Sequence, residues 1–288
     1  MKAYLDCYPC FFIQTLRTMR LITSDEKEIW RVLKEVSSFL PQLSFDSTPP
    51  EIGREVYRII SEITGIKDPY QEIKKACTQK ALDFYPEVKE KVRKADNPLM
   101  TALRAAIAGN IIDFGANREF DIEKDLEKIF TQDFAINHFH EFNKMIQTSN
   151  RIVYLADNAG ETVFDRILIE EIDVPVIYAV RDKPVINDAV KEDAVDAGLD
   201  RIAEIMSSGS DAPGTVLNYC SKEFIDILDK APMIISKGQG NYEALSELQK
   251  PIFFLLKAKC PVIAGDIGVP EGSIILMESS IYSNHRKK

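Results

Sequence analysis

Apolar residues recur at two different spacings along this chain, and the spacing changes near residue 150. Ahead of that point, segments 25–40, 50–64, 70–85 and 100–113 place them three and four positions apart, the period of a helix with one buried face. Ser24 and Asp68 stand ahead of two of these segments as candidate caps. Beyond it, short runs rich in Val and Ile appear at 151–156, 175–180, 202–206, 232–236, 252–256, 261–264 and 273–277. Helical patterns at 161–171, 188–197, 214–228 and 241–248 separate most of the earlier runs. Strands alternating with helices predict right-handed crossovers and a mostly parallel sheet. The expected fold is α/β, with an all-helical domain over residues 1–149, a sheet domain over 150–288, and a frayed tail over 283–288.

The polar residues that end the strands carry the chemistry. Ile152-Val153-Tyr154-Leu155-Ala156 runs into Asp157-Asn158-Ala159-Gly160-Glu161. A strand this apolar is buried on both faces, so its carboxyl end delivers Asp157 and Asn158 to the crevice where open α/β sheets bind ligands. Two hard oxygen donors suit a cation, while Gly160 and the following helix suit an anion, and together they point to phosphate. The device repeats after Val180 (Arg181-Asp182-Lys183-Pro184-Val185-Ile186-Asn187-Asp188), after Met206 (Ser207 to Thr215), after Ser236 (Lys237-Gly238-Gln239-Gly240-Asn241) and at Lys257. Asp157, Asn158 and Asp188 form an oxygen set fit for magnesium or manganese. Lys237 and Lys257 offer compact positive charge for phosphoryl oxygens, and amides over 208–211 (Ser208, Gly209) and 238–241 (Gly238, Gln239, Gly240, Asn241) offer neutral donors.

Composition removes several alternatives. Among 288 residues, 45 acidic against 36 basic side chains leave a net charge of -9, which argues against an extended nucleic-acid surface. The chain has no run of about 18 apolar residues. The first residues, Met1 to Asp6, lack the pattern of a signal peptide, so a cytoplasmic protein with no membrane partner is expected. Five cysteines make a disulfide framework improbable in that compartment. The first strand is not followed by GxGxxG, and neither a Walker A sequence nor GxSxG occurs. His138, His140 and His285, the three histidines, lie outside the strand-end loops, which argues against a Ser-His-Asp hydrolase.

Taken in order, Cys7-Tyr8-Pro9-Cys10, Ala108-Gly109-Asn110-Ile111-Ile112-Asp113, Asp157 to Glu161, Pro184 to Asp188 and Lys237 to Glu243 span nearly the whole chain. This series resembles the DUF89 damage-control phosphatases, in particular the prokaryotic and archaeal subfamily with an amino-terminal CxxC and a GNFE-like sequence. Tyr242 stands where that sequence has Phe. Where a eukaryotic branch has Arg-Thr-x-Lys, this chain reads Phe254-Leu255-Leu256-Lys257, keeping only the lysine. The resemblance implies a Rossmann-like domain under a helical one and a phosphatase for small phosphorylated metabolites. It also implies a divalent cation (magnesium, manganese, cobalt or nickel) on Asp157, Asn158 and Asp188. Glu161, the Lys237 to Asn241 loop and Lys257 would contact substrate.

Other residues keep more than one reading. Asn110 and Asp113 share a helix face and either reach the pocket or, for Asp113, cap the helix near Gly115. Cys7 and Cys10 are half of a four-sulfur site, a redox pair or packing thiols. Trp30 and the aromatic cluster from Phe134 to Phe142 are expected in the core. The expected reaction is attack of water on phosphorus with Asp157 or Glu161 as base and Lys237 on the phosphoryl group, an aspartyl-phosphate route through Asp157 remaining open. A carboxyl methyltransferase-type transferase and a non-catalytic phosphometabolite or nucleotide sensor are the alternatives, and the oligomeric state is left open.

Overall fold

A computed structural model describes residues 1–44, 46–109 and 130–279. Asn110 and Asp113 therefore lie outside the described residues. The chain is mixed α/β, built on a seven-stranded sheet: β1 (Phe134–Asn137), β2 (Ile152–Leu155), β3 (Val176–Val180), β4 (Glu204–Ser207), β5 (Ile234–Lys237), β6 (Ile252–Lys257) and β7 (Ile274–Glu278). Their spatial order is β1-β7-β6-β5-β2-β3-β4. Neighbours pair in parallel except β6 with β7, which are antiparallel. From β2 the chain moves outward through β3 to β4, then returns to place β5 on the other side of β2. That reversal opens a crevice at the carboxyl ends of β2 and β5, the place where such sheets take ligands.

Among the described residues, five α-helices precede β1: α1 (Cys7–Ile22), α2 (Glu26–Phe39), α3 (Pro49–Thr64), α4 (Gln71–Lys94) and α5 (Pro98–Gly109). α1 adds a helix ahead of the four periodic segments, and α4 continues past residue 85, through Pro86 to Lys94. Asp25, not Ser24, caps α2 by accepting from the Lys27 amide, and Thr48 with Glu51 forms a capping box on α3. The 1–149 segment is not all helix, because β1 pairs with β7 at the sheet edge. Residues 261–264 form no strand either. Pro261 opens a helix to Ile267, its fixed φ suiting a first helical turn.

The apolar cores divide elsewhere than at residue 150. Val88, Val92 and Ala102 to Ala108 of α4 and α5 join one sheet face with Tyr154, Tyr178 and Ile235. A second core covers the opposite face, and Phe11, Met19, Val32, Val36, Ile52 and Val56 of α1 to α3 form a third. Trp30 is not in that core but is 64% exposed, because Ile29, Val32 and Val36 already define the buried stripe of α2. Phe142 is fully buried as expected, and Phe134 packs against the same core. Among the described residues, no helix is long and apolar enough to cross a membrane.

Candidate active site

Backbone pairing brings the sequence-distant donors together. Ala189 N donates to Asp157 O at 2.8 Å, Ala159 N donates to Asn187 O at 2.8 Å, and Asn158 forms a bridge with Asp188. The end of β2 is thereby stitched to the loop after β3. Ile186, two residues before Asp188, sits at φ 47, costly for a β-branched residue and a form of strain held by surrounding structure. From β5 comes Gly238 at φ 77, so close that a Cβ there would lie 1.9 Å from Asp157 Oδ2. Only glycine permits that approach.

The side chains then sort into donors held by partners. Asn158 Nδ2 donates to Glu161 Oε1 at 2.6 Å and to Asp157 Oδ2 at 3.2 Å, which commits its amide hydrogens and leaves Oδ1 as an acceptor. Asp188 Oδ2 accepts from Arg181 Nε at 2.7 Å. Lys237, fully buried, donates to Glu161 Oε2 at 2.9 Å and Asp165 Oδ1 at 2.6 Å. Asp165 accepts in addition from the hydroxyls of Tyr154 and Tyr178, each at 2.7 Å. α4 reaches the same rim from the helical side, its buried Lys74 pairing with Asp193 at 3.2 Å and Asp68 at 3.0 Å.

Charge does not balance here. Burial pushes the Asp157 carboxyl well above the usual range, and the neighbouring Glu161 and Asp188 carboxylates push it further. Burial also raises Asp188, to about 6, against the pull of Arg181. Burial alone would lower the pKa of Lys237, but Asp165 and Glu161 reverse that and hold it protonated. Four carboxyl groups (Asp157, Glu161, Asp165, Asp188) meet two buried cations (Arg181, Lys237), so full ionisation of the cluster is opposed. No group of three His, Cys, Asp or Glu side chains poised for a metal occurs among the described residues; the third donor beside Asp157 and Asp188 is the Asn158 carboxamide. Such a hard oxygen set in an electron-rich pocket fits a divalent cation such as magnesium or manganese.

The remaining expected residues are placed unevenly. Glu161 is inside the cluster, but Asn158 and Lys237 engage both of its oxygens. Asn241 is fully buried and spends its side chain internally: Oδ1 accepts from Thr215 N and Oγ1 and from Arg181, and Nδ2 donates to Ala156 O and Lys237 O. It shapes the rim and presents no donor to a ligand. At Ser208 and Gly209 the expected anion cradle is not formed. Ser208 N donates to Val180 O, Gly209 N to Ser207 Oγ and Ser210 N to Ser208 Oγ, so these amides are consumed within the loop. Gly209 is required at φ 82 because a Cβ would meet Ser221 N at 2.4 Å.

Gly238, Gln239 and Gly240 open the helix Gly238–Leu245, whose first-turn amides have no acceptor inside the helix and lie beside Asp157. Gln239 holds the next loop, accepting from Lys259 N. Lys257 closes β6 level with Ile274. Lys259, two residues farther on and exposed, also acts on Asp157 from this side and favours its charged form. The sequence signal was present, since a strand one residue longer moves the loop past Lys257. Cys7 is half-buried at the start of α1 with Glu243, Cys260 and Cys10 facing it, whereas Cys10 is exposed, so Cys10 is not a core thiol. Asp165 was not anticipated, and Arg181 was named only within the polar run after Val180, without a role. Asp165 follows Glu161 at i+4, a spacing that by itself reads as a solvated helix face.

A mostly parallel sheet with a carboxylate and carboxamide cluster at its switch point defines a class of α/β proteins that hold a small ligand between strand ends and helices. Within that class the chain belongs to the damage-control phosphatase ARMT1-like, or DUF89, family, whose model matches residues 3–275. It is 35% identical over 287 residues to a damage-control phosphatase of Pyrococcus horikoshii, covering 97% of this chain and 99% of that one. It is 34% identical over 286 residues to a damage-control phosphatase of Archaeoglobus fulgidus, covering 96% and 98%. A protein of Methanocaldococcus jannaschii is 36% identical over 291 residues, covering 96% of both chains. The crystal structure of a DUF89 family protein from Pyrococcus horikoshii superposes with a TM-score of 0.90 at 33% identity, covering 97% of this chain and 99% of that one.

Proposed function

We propose that this protein is a divalent-metal-dependent phosphatase that hydrolyses small phosphorylated metabolites, in the service of clearing damaged or side-product phosphate esters. The observation that carries the reading is the surplus of carboxyl groups over cations gathered around Asp157, Asn158 and Asp188, whose ionisation a bound cation would favour. The names of the Pyrococcus and Archaeoglobus relatives support it. Asp157, Asp188 and Asn158 Oδ1 would hold the cation, which when bound supplies neutralisation of phosphoryl charge and acidification of water.

The chain's own residues account for the rest. First-turn amides of the helix Gly238–Leu245 and the exposed Lys259 ammonium receive phosphoryl oxygens. Asp157, half-buried and beside those amides, is better placed than Glu161 to take a proton from attacking water, because both Glu161 oxygens are already hydrogen-bonded. Lys237 acts from behind: its bonds to Glu161 and Asp165 fix the carboxylate that in turn fixes Asn158. The rest of the substrate would fit a hollow of about 510 Å³ beside the Asp188 loop, lined by Tyr57, Lys67, Lys183, Pro184 and Ile186.

Phosphate release from an aryl phosphate, after exhaustive chelation and again after adding magnesium, manganese, cobalt or nickel, tests the reading. The expected result is loss on chelation and recovery with the cation. Full activity in protein shown by elemental analysis to be metal-free overturns it.

A further inference from the structure

Arg181 directly follows β3, and its side chain is only 1% exposed. Its guanidinium makes four bonds, one to each of four strand-end segments, those after β2, β3, β4 and β5. Nε donates to Asp188 Oδ2 at 2.7 Å, Nη1 to Thr215 Oγ1 at 3.2 Å, and Nη2 to Ala156 O at 3.3 Å and Asn241 Oδ1 at 3.2 Å. Ala156 precedes Asp157, and Asn241 closes the first turn of the amide-bearing helix. One planar fork therefore touches a carboxylate proposed to hold the cation, the residue before the second such carboxylate, and the loop proposed to receive phosphate.

We infer that Arg181 is a positioning residue that turns one oxygen of Asp188 inward and fixes its spacing from Asp157 and from the phosphate-receiving turn. The inference rests on the metal-dependent reading above and adds to it the residue that aligns the two halves of the site. Chemistry explains the choice of Arg. A point charge such as Lys neutralises Asp188 but cannot hold Asp188, Thr215, Ala156 and Asn241 at once, whereas five donors in a fixed plane can. Removing a partner that orients a ligand typically weakens metal affinity by about 10- to 100-fold. Thr215 relays the constraint, its hydroxyl accepting from Arg181 and donating to Asn241 at 2.8 Å.

Manganese is the probe. The electron paramagnetic resonance signal of unbound Mn²⁺ is titrated with wild type, Arg181→Lys, Arg181→Met and Thr215→Val, alongside kcat and KM for an aryl phosphate across Mn²⁺ concentrations. Circular dichroism confirms that each variant is folded. The expected result is Mn²⁺ affinity at least about tenfold weaker in Arg181→Lys, with most of kcat regained at saturating Mn²⁺ and a further drop in affinity for Arg181→Met. A purely structural role would lower thermal stability and leave Mn²⁺ affinity of the folded protein unchanged, and that result overturns the inference. If neither Arg181 variant folds, Thr215→Val decides: weakened Mn²⁺ binding supports the relay and unchanged binding overturns it. A wild type that binds no Mn²⁺ overturns the metal-dependent reading and this inference together, while tight binding by both wild type and Arg181→Lys overturns this inference alone.

Discussion

At the ends of β2, β3 and β5, Arg181, Asp188, Glu161, Lys237 and Asn241 are withdrawn from water, whereas across α1 and α2 the large apolar side chains of Ile13, Leu21 and Trp30 stand in it. These five side chains of the first region stay buried because they are hydrogen-bonded to one another and to strand-end backbone, usually from another strand-end loop. The second needs no such arrangement, since an isolated exposed apolar side chain costs little. A perturbation at the rim should thus propagate through several partners, and one on the outer helical face should stop where it is made.

The largest expected effect is on chemistry. Asp157→Asn and Asp188→Asn each remove one negative oxygen donor with almost no change in volume, and turnover should fall by about 10²-fold or more while the fold is retained. Steady-state rates at saturating metal, with circular dichroism beside them, check this. Near wild-type turnover in either variant would show that residue to be no primary ligand.

Next come the two lysines, which the same comparison separates. Lys237 is fully buried between Glu161 and Asp165, so Lys237→Met leaves two carboxylates without their cation and should cost about 3–5 kcal/mol in urea unfolding, with activity lost as well. Lys259 is exposed, and Lys259→Met should change stability by less than about 0.5 kcal/mol. Its effect belongs in KM, which should rise roughly tenfold for the loss of one charged contact to phosphate. Equal stability losses in the two variants would erase the distinction between a structural and a ligand-facing cation.

These contrasts track what the sequence made readable. Strands buried on both faces are continuous apolar runs, so β2, β3, β5 and β6 could be read from local pattern, as could the polar residues that end them. That the Asp157-Asn158 pair would meet Asp188 follows from strand ends sharing one rim, and the backbone bridge between Asn158 and Asp188 brings them together. Which polar side chains would be used up internally was not readable. Asn241, Ser208 and Gly209 look like ligand donors until Thr215, Val180 and Ser221 are placed beside them, and those contacts depend on loop packing. Asp165 was invisible for the converse reason: its three partners, Tyr154, Tyr178 and Lys237, come from three strands.

A smaller effect, and one with a pH signature, is expected where the N-terminal segment meets the rim helix. Met1 N donates to Glu243 O at 2.6 Å, and burial pushes the Glu243 carboxyl from 4.5 up to about 8, only partly opposed by the terminal ammonium. The protonated form fits its surroundings, so the stability this group contributes is intact below its unfolded pKa and is lost as pH rises through about 8. Glu243→Gln should therefore match wild type near pH 5 and exceed it above pH 8, by about 1–2 kcal/mol given that the side chain is only half-buried. Denaturant midpoints across that pH range measure it, and a constant difference between the two proteins would refute the assignment.

The smallest effect tests the other pole of the comparison with one residue class. Phe142 is fully buried and meets Phe253 edge-on with ring centroids 5.2 Å apart, while Trp30, the larger aromatic, is 64% exposed beside Phe12, Ile13 and Leu33. Truncating Phe142 to Ala opens a cavity in the core under the sheet and should cost about 3–5 kcal/mol. Trp30→Gln removes only surface contacts, because Ile29, Val32 and Val36 carry the buried stripe of α2, and its stability should stay within about 0.5 kcal/mol of wild type. Turnover should be unchanged in Trp30→Gln, since α2 contributes no side chain to the Asp157, Asn158 and Asp188 cluster. Urea unfolding of the two variants side by side is the measurement. A loss of 2 kcal/mol or more at Trp30, on the order of a buried side chain's contribution, would mean that the outer face of α1 and α2 is covered in solution, and the contrast between a partnered rim and an indifferent surface would then have to be redrawn.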